Sequence, residues 1–481
     1  RKRKCRCSWI FRGKASYTVL NPYFAGIGKV RMKKTVWGFF CAFFLAVKLS
    51  AAAEGSDPAE DISLYATAAV LMDADTGRVL YGKNADTPMA MASTTKILTC
   101  IVVLENASLD ETLKTSSYAA GMPKVHLGIR RGEEYTVRDL LYSLMLESHN
   151  DSAVALAEHV GRKLLAPELA GKEASDYTVE ESKQAVAAFA RLMNEKAVEL
   201  GCRDSWFITP NGLDATQEFT LQDGTVITKE HSTTAAELAR IMSYCIGESE
   251  KREDFLEITR TQNYSFSANG RGYSCVNHNA FLNMMDGALS GKTGFTNKAG
   301  YCYVGSLKRD GRTFVVTLLA CGWPNHKTWK WSDTRELMQY GVDHFFYRSF
   351  RDEEIAFDES RLQPIPVLNG QTYILGETAY TDTVIKGRGT AEYGGLDSLA
   401  GGAGEKSVEG ILMRADEEVK VEYRIEKQLQ APVEAGTEVG EITYSVGDTV
   451  YLRESIVTTE AVKKIDFAWC VSQILSRYCI F

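Results

Sequence analysis

The sequence predicts an α+β fold: helices packed on an antiparallel sheet, then a small all-β domain and a C-terminal amphipathic helix. Helical and strand patterns are interspersed over residues 61–350, with hairpin signals and few β-α-β repeats, which favours helices on an antiparallel sheet. Apolar and polar residues alternate strictly over 419–425, as expected of a half-buried strand. Residues 461–481 place apolar and polar side chains on opposite faces of a helical wheel. We therefore expect domains at 61–350 and 355–455, and a terminal helix at 460–481.

The elements of the first domain follow from local patterns. Two short apolar runs around the turn at 75–77 predict a β-hairpin, and Asp310-Gly311 predicts a second one between 300–308 and 312–321. We predict irregular loops over 163–182 and 217–228. Helical periodicity predicts helices over residues 97–104, 139–146, 152–160, 186–200, 230–242 and 332–346.

The amino end is typical of an export signal. A positively charged segment at 32–34 precedes an apolar run at 36–47, which is too short to span a bilayer comfortably, and an A-x-A site at 51–53 follows. We expect a signal peptide at 32–53. Residues 1–31 do not begin with Met and are interpreted as upstream translation; the alternative is a retained anchor with a basic cytoplasmic tail.

Charge and cysteine usage exclude several classes of partner. Residues 1–53 hold 12 of the 55 Lys and Arg residues and none of the 62 acidic ones, so the remainder is acidic. An acidic body without a basic stripe argues against nucleic-acid binding. The cysteines after residue 53 are scattered, without C-x-x-C pairs or histidines at ligand spacing, so we predict neither a metal site nor a cofactor.

The glycine-rich stretch 394–404 and the tail each have two interpretations. No Lys-Ser pair follows the glycines, so a hairpin tip is favoured over a phosphate-binding loop. Basic residues open the amphipathic tail, as in helices that lie in a membrane interface. We expect a membrane-surface helix; the alternative is a helix that docks on the β-domain.

Ser93-x-x-Lys96 is the first candidate catalytic pair. Three residues are nearly one helical turn, so both side chains fall on one face. A desolvated lysine can remove the proton of a serine hydroxyl and activate it as a nucleophile. Alone the pair is a weak signal, because Ser and Thr are also common helix caps.

Two further motifs follow in order: Ser148-x-Asn150, on a predicted loop between two helices, and Lys292-Thr293-Gly294, just before a predicted hairpin. The three together are typical of the penicillin-interacting serine enzymes. On these motifs the chain resembles the low-molecular-weight D-alanyl-D-alanine carboxypeptidases, a family of penicillin-binding proteins. The likeness spans most of 65–455 and includes segments 71–77, 128–160, 210–214, 231–233 and 299–302.

The resemblance implies a β-lactamase/transpeptidase-like domain followed by the family's second domain and membrane anchor. It implies removal of the terminal D-alanine from peptidoglycan stem pentapeptides through an acyl-enzyme, with β-lactams as covalent inhibitors. The enzyme would act outside the cytoplasm, attached to the outer face of the cytoplasmic membrane.

The implied roles carry over residue by residue. Ser93 would attack the carbonyl between the two D-alanines, and a neutral Lys96 would be its base, with its pKa lowered by burial and by a second cation such as Lys292. Ser148 would relay a proton to the leaving amine, and Asn150 would orient Lys96 or the substrate amide.

The third motif would bind substrate. Lys292 and Thr293 would hold the terminal carboxylate, and Gly294 would let the strand approach closely. Backbone amides of Ser93 and Phe295 would form the oxyanion hole. No histidine is needed, and all seven are assigned structural roles by default.

The sequence departs from the family's pattern at two places, and three competing functions stay open. The family usually has a small residue where His149 stands, and the insertions between the second and third motifs are long. A class A β-lactamase would need a deacylating glutamate in an E-x-x-x-N arrangement, and the candidate Glu168 is followed by Lys172. A D,D-endopeptidase and a non-catalytic penicillin-sensing or peptidoglycan-binding protein are the second and third competing functions.

Overall fold

The computed structural model describes residues 62–220, 225–352, 358–387 and 409–478. The predictions for 1–31, for the signal peptide at 32–53 and for the glycine-rich stretch 394–404 lie outside the described residues.

The α-helices of the described residues include the seven that the sequence predicts and three more, α2, α5 and α8, that it did not indicate. A 3-10 turn, Ala92–Thr95, leads into the first of them. The helices are α1 (Lys96–Asn106), α2 (Ser117–Ala120), α3 (Val137–Leu146), α4 (Asn150–Gly161), α5 (Pro167–Ala170), α6 (Val179–Glu199), α7 (Ala235–Ser243), α8 (Arg252–Arg260), α9 (Trp329–His344) and α10 (Phe467–Tyr478).

The strands fall into one larger sheet and several small ones. In chain order they are β1 (Ala68–Asp73), β2 (Val79–Lys83), β3 (Thr112–Lys114), β4 (Glu134–Thr136), β5 (Thr216–Thr220), β6 (Val226–Glu230), β7 (Asn263–Ala268), β8 (Arg271–Val276), β9 (Ala288–Thr296), β10 (Gly300–Arg309), β11 (Arg312–Leu319), β12 (Phe346–Ser349), β13 (Ile365–Leu368), β14 (Ala379–Thr381), β15 (Thr383–Ile385), β16 (Gly410–Met413), β17 (Val419–Ile425), β18 (Leu429–Gln430), β19 (Glu438–Val446) and β20 (Thr449–Thr458).

The central sheet is antiparallel throughout and has the strand order β2-β1-β11-β10-β9. Every residue of β1 is buried, so both of its faces must be covered. Neighbouring residues on a strand point to opposite faces. Leu71 lies against Gly341 of α9, and the sulfur of Met72 accepts a hydrogen bond from Ser243 of α7. The two helices therefore cover opposite faces of the sheet.

Helix α1 lies in the middle of a second, helical part of the core. Its residues from Lys96 through Leu104 are all buried, and α3, α4, α6 and α8 pack around it. An apolar helix that is buried all round agrees with the pattern read from the sequence. This packing fixes the position of the serine turn at its amino end.

The C-terminal part is all-β up to its last helix. Strand order is β15-β20-β19-β17 in its larger sheet and β14-β13-β18 in a smaller one. A core that includes Ile411, Ile442, Tyr444 and Ile456 lies among these strands. Strand β12, which directly follows α9, pairs with β16 of this part.

Helix α10 buries no residue. The alternative in which the tail docks on the β-domain is therefore not the arrangement seen. Among the described residues, no helix combines the length and apolarity needed to cross a membrane.

Three predictions about the first domain were wrong in detail. The loop predicted over 163–182 contains α5, and α6 begins at Val179 rather than near 186. The loop predicted over 217–228 contains the hairpin β5–β6, and α7 begins at Ala235 rather than near 230. Almost every residue of β5 and β6 is exposed, so no face was apolar and no alternation marked the strands. Helices α2, α5 and α8, the strand pair β3–β4 and the hairpin β7–β8 were not predicted.

Candidate active site

Ser93 and Lys96 lie where the 3-10 turn meets α1. The Nζ atom of Lys96 is 2.9 Å from the Oγ atom of Ser93. Ala92, just before the serine, adopts a left-handed backbone with φ of 49°. Such strain in a non-glycine residue persists only where the surroundings impose it, and it clusters at functional sites.

Lys96 is completely buried. Besides Ser93, its Nζ atom lies 3.0 Å from Asn150 Oδ1 and 2.6 Å from the backbone oxygen of Asn211. Burial lowers the pKa of Lys96 well below its ordinary value, the nearby Lys292 lowers it further, and Asp151 opposes the shift. The lysine is therefore poised to lose its proton.

Ser148 and Asn150 occupy the loop between α3 and α4, as predicted. Ser148 also has a left-handed backbone, with φ of 65°, and its Oγ atom is buried without a hydrogen-bond partner. The side-chain Nδ2 atom of Asn150 donates to the backbone oxygen of Pro123 at 3.1 Å. The carboxylate of Asp151 accepts from three backbone amides of 127–129, which fixes the loop on this side of the site.

His149 does not line the site. Its Nδ1 atom lies 2.8 Å from Ser143 Oγ, which in turn is 2.8 Å from Ser152 Oγ. Burial lowers the pKa of His149. The imidazole ring of His149 is thus accommodated between α3 and α4, away from the cleft.

Lys292, Thr293, Gly294 and Phe295 all lie on β9, the last strand of the central sheet. A Cβ atom on Gly294 would lie 2.9 Å from the backbone nitrogen of Ser93, so only glycine fits at this contact. The Nζ atom of Lys292 donates to the backbone oxygen of Thr293 at 3.0 Å. Burial lowers the pKa of Lys292 to about 7.

These elements surround a cleft of about 630 Å³. Six of the eight predicted residues line it, namely Ser93, Ser148, Asn150, Thr293, Gly294 and Phe295. Lys96 and Lys292 lie behind this surface, both buried. The β-lactamase candidate Glu168 is exposed on α5 and is not among the lining residues.

Sequence reasoning missed two lysines that line the same cleft as Ser93. Lys327, Lys330 and Trp331 line the cleft beside Tyr301. The Nζ atom of Lys330 lies 4.8 Å from the ring centroids of both Tyr301 and Trp331, and burial lowers its pKa to about 8. A lysine between two tryptophans, at 329 and 331, is the signal that could have indicated it.

His231 supports the serine turn from behind. Its Nδ1 atom accepts from the backbone amide of Ile208 at 2.9 Å, so the proton is on Nε2, which lies 2.9 Å from Thr95 Oγ1. Burial, together with the charge of Lys96, lowers the pKa of His231 to about 3. A neutral ring therefore holds the turn between Ser93 and Lys96.

A serine on the wall of a cleft, with a buried lysine at hydrogen-bond distance, defines the class of serine acyl-transfer enzymes that use lysine as the base. The family described as D-alanyl-D-alanine carboxypeptidase matches residues 53–163 and 180–320. The chain belongs to this family, and it is a serine peptidase. A second family, described as the C-terminal domain of penicillin-binding protein 5, matches residues 392–464.

Individual relatives agree with this assignment. The chain is 25% identical to D-alanyl-D-alanine carboxypeptidase DacF of Bacillus subtilis over 437 residues, covering 88% of this chain and 92% of that protein. It is 30% identical to the D-alanyl-D-alanine carboxypeptidase of Streptomyces sp. over 309 residues, covering 61% of this chain and 94% of the relative.

A solved structure supports the fold. The D-alanyl-D-alanine carboxypeptidase DacD from Francisella tularensis superposes with a TM-score of 0.57 at 21% identity, covering 84% of this chain and 95% of that one. The predicted α+β architecture with an all-β C-terminal domain is confirmed.

Proposed function

We propose that this D-alanyl-D-alanine carboxypeptidase releases the terminal D-alanine of peptidoglycan stem pentapeptides through an acyl-enzyme on Ser93. The observation that carries this proposal is the 2.9 Å separation of Ser93 Oγ from the Nζ atom of a completely buried Lys96. β-Lactams would acylate the same serine, because they present a reactive carbonyl beside a carboxylate.

The hydrogen bonds of Lys96 support its role as the base. A neutral lysine has two N–H donors and one lone pair. Donation to Asn150 Oδ1 and to the backbone oxygen of Asn211 would use both donors. The lone pair is then left for the hydroxyl proton of Ser93. The contact of Lys96 with Asn150 Oδ1 supports the orienting role expected of Asn150.

The reaction balances with these residues alone. Lys96 takes the proton of Ser93 as the Oγ–C bond forms, and the C–N bond to D-alanine breaks with proton delivery to its amine through Ser148. The otherwise unpartnered Oγ of Ser148 supports this relay. Water then gives a proton to Lys96 and attacks the acyl carbon. Lys96 returns that proton to Ser93 Oγ as the C–Oγ bond breaks, which releases the shortened peptide.

Substrate would bind along β9. This strand ends the central sheet, so its free edge can pair with an extended peptide. The backbone amides of Ser93 and Phe295 would hold the oxyanion. Thr293, Lys292 and the newly found Lys330 would attract the terminal carboxylate from two sides of the cleft.

We further propose that the protein acts outside the cytoplasm, held at the outer face of the cytoplasmic membrane by α10. The expected signal peptide supports export. The exposed apolar side chains of α10 support attachment, with Phe467 at 84% and Tyr478 at 81% exposure.

The test is fluorescent penicillin labelling of the full chain, followed by incubation with a stem pentapeptide. We expect labelling and D-alanine release in the unaltered protein, and neither in Ser93→Ala. The control is Ser267→Ala, an exposed serine on β7, which should keep both. Labelling of Ser93→Ala would contradict the mechanism.

The same assays, with cross-linked peptide dimers as a second substrate, separate the competing functions. Cleavage of cross-linked dimers without D-alanine release would identify an endopeptidase. Labelling without turnover of either substrate would favour a penicillin-sensing protein, and rapid hydrolysis of the penicillin would favour a β-lactamase.

A further inference from the structure

An exposed apolar turn lies in a loop whose base is tied to the segment before the terminal helix. Tyr373, Ile374 and Leu375, here called the apolar tip, lie in the loop between β13 and β14. Tyr373 is 100% exposed, and Ile374 and Leu375 are each 52% exposed. The hydroxyl of Thr372 donates to the backbone oxygen of Ile374 at 2.7 Å, so the turn that presents these side chains is hydrogen-bonded. Three adjacent large apolar residues on a surface indicate an interaction site.

The base of the tip is tied to the segment that leads into α10. Gly370 forms a β-bridge with Lys464, the backbone amide of Gln371 donates to the oxygen of Lys463 at 2.8 Å, and the amide of Ile465 donates to the oxygen of Asn369 at 2.8 Å. Helix α10 starts two residues after Ile465. The base of the tip is therefore tied to the start of the helix through the backbone.

A small buried cluster stabilises the junction, that is, the contact between residues 369–371 and 463–465. Val367, Ala379 and Val462 form part of one buried cluster. A Cβ atom on Gly370 would lie 2.7 Å from the side chains of both Ala379 and Val462. The strand before the tip, the strand after it and the segment before α10 thus meet at one point.

The charges of the junction point to the nature of the partner. The side chains of Lys463 and Lys464 are exposed between the tip and the helix. On α10, residues Phe467, Val471, Ile474, Leu475 and Tyr478 share one face at helical spacing, and none is buried. Apolar side chains flanked by lysines suit a bilayer interface with anionic headgroups.

We propose that the apolar tip is a second membrane-contacting element, which enters the interface of an anionic bilayer together with α10. This inference rests on the proposed attachment through α10. Because the tip is tied to the helix, its binding becomes intramolecular once the helix has bound, and the two contributions reinforce each other. Two contacts would also restrict the orientation of the β-domain on the membrane.

The experiment measures binding of the full chain to vesicles of phosphatidylglycerol and phosphatidylethanolamine by co-sedimentation. The tip variant carries Tyr373→Ser, Ile374→Ser and Leu375→Ser. The helix variant carries Ile474→Ser and Leu475→Ser. The matched control carries Val198→Ser, Val226→Ser and Ile227→Ser, three exposed apolar residues on α6 and β6.

We expect the partition coefficient of the tip variant to fall by roughly tenfold or more, since interfacial binding scales with buried apolar area. The control should bind like the unaltered protein, and penicillin labelling should be unchanged in all variants. Sedimentation velocity without vesicles should show the same mass for the tip variant and the unaltered protein.

Three outcomes would overturn the inference. If the tip variant binds normally while the helix variant does not, the anchor stands and the tip plays no part. If the unaltered protein does not bind vesicles, the proposed anchor fails as well. If the tip variant changes from dimer to monomer with vesicle binding intact, the tip is a contact between copies of this chain.

Discussion

Helices α1 and α10 are two apolar helices of 11 and 12 residues with opposite surroundings. In α1 the nine residues from Lys96 through Leu104 are buried, including the lysine itself. In α10 no residue is buried, although most of one face is aliphatic or aromatic. Both helices are therefore rich in apolar residues, but other helices bury α1, whereas α10 is exposed to solvent.

The different surroundings of the two helices change the properties of their side chains. The protein covers α1, so a charge at its amino end is desolvated, and the pKa of Lys96 falls. Among the described residues, the apolar face of α10 remains exposed to solvent. In the function proposed above, the first arrangement supplies the base, and the second supplies the surface that binds the membrane.

Removing the lysine from α1 has the largest expected effect. Lys96→Met keeps an unbranched side chain in the buried site but cannot accept the serine proton. We expect the second-order rate of penicillin acylation to fall by about 10³-fold or more, as losses of catalytic groups typically do. Lys298→Met, an exposed lysine paired with Glu230 at 2.9 Å, is the control and should acylate normally. A loss of less than tenfold in Lys96→Met would show that another group is the base.

Truncating one isoleucine in each helix sharpens the contrast in stability. Ile101 is fully buried in α1, whereas Ile474 is 56% exposed on α10. We expect Ile101→Ala to lower the free energy of unfolding by about 2–5 kcal/mol, because it leaves a cavity. Ile474→Ala should change it by less than about 0.5 kcal/mol. Denaturant unfolding without lipid measures both, and a large loss in Ile474→Ala would mean that α10 is packed in solution.

Much of this site could be predicted from sequence because its chemistry lies in short motifs. Ser93 and Lys96 are one helical turn apart, so spacing alone brought them together. The positions of Ser148 on a loop and of Lys292 before a hairpin followed from helical and strand patterns. Joining the three motifs in one cleft required the family resemblance, since no local pattern measures the distance between β9 and α1.

What could not be predicted depends on backbone groups and on distant packing. The oxygen of Asn211, which lies 2.6 Å from Lys96, is a main-chain atom that any residue would supply. Lys330 reaches the cleft only because α9 starts beside Tyr301. The apolar tip is likewise joined to α10 by backbone hydrogen bonds between distant segments, which leave no trace in side-chain patterns.

A second comparison concerns a buried acid on α4. Burial lowers the pKa of Lys96 on α1 but raises the pKa of this acid. Glu158 is fully buried, with Ser116 Oγ donating to it at 2.8 Å, and burial raises its pKa from 4.5 to about 7. The folded state therefore holds this proton more tightly than the unfolded state. The stability that Glu158 contributes is full below about pH 4.5 and is lost as pH rises through 7.

Gln cannot ionise, so the free energy of unfolding of Glu158→Gln lacks this pH dependence. We therefore expect the variant to become more stable relative to the unaltered protein as pH rises from 5 to 8. The gain should be no more than about 3 kcal/mol, since each unit of pKa shift corresponds to about 1.4 kcal/mol. Glu168→Gln, on the exposed helix α5, should show no such dependence, because water already solvates that carboxylate in the folded state. Thermal unfolding at both pH values measures the difference for each variant. An equal effect of Glu158→Gln at pH 5 and 8 would mean that the carboxyl is ionised in the core throughout this range, and that burial governs the charge on α1 but not on α4.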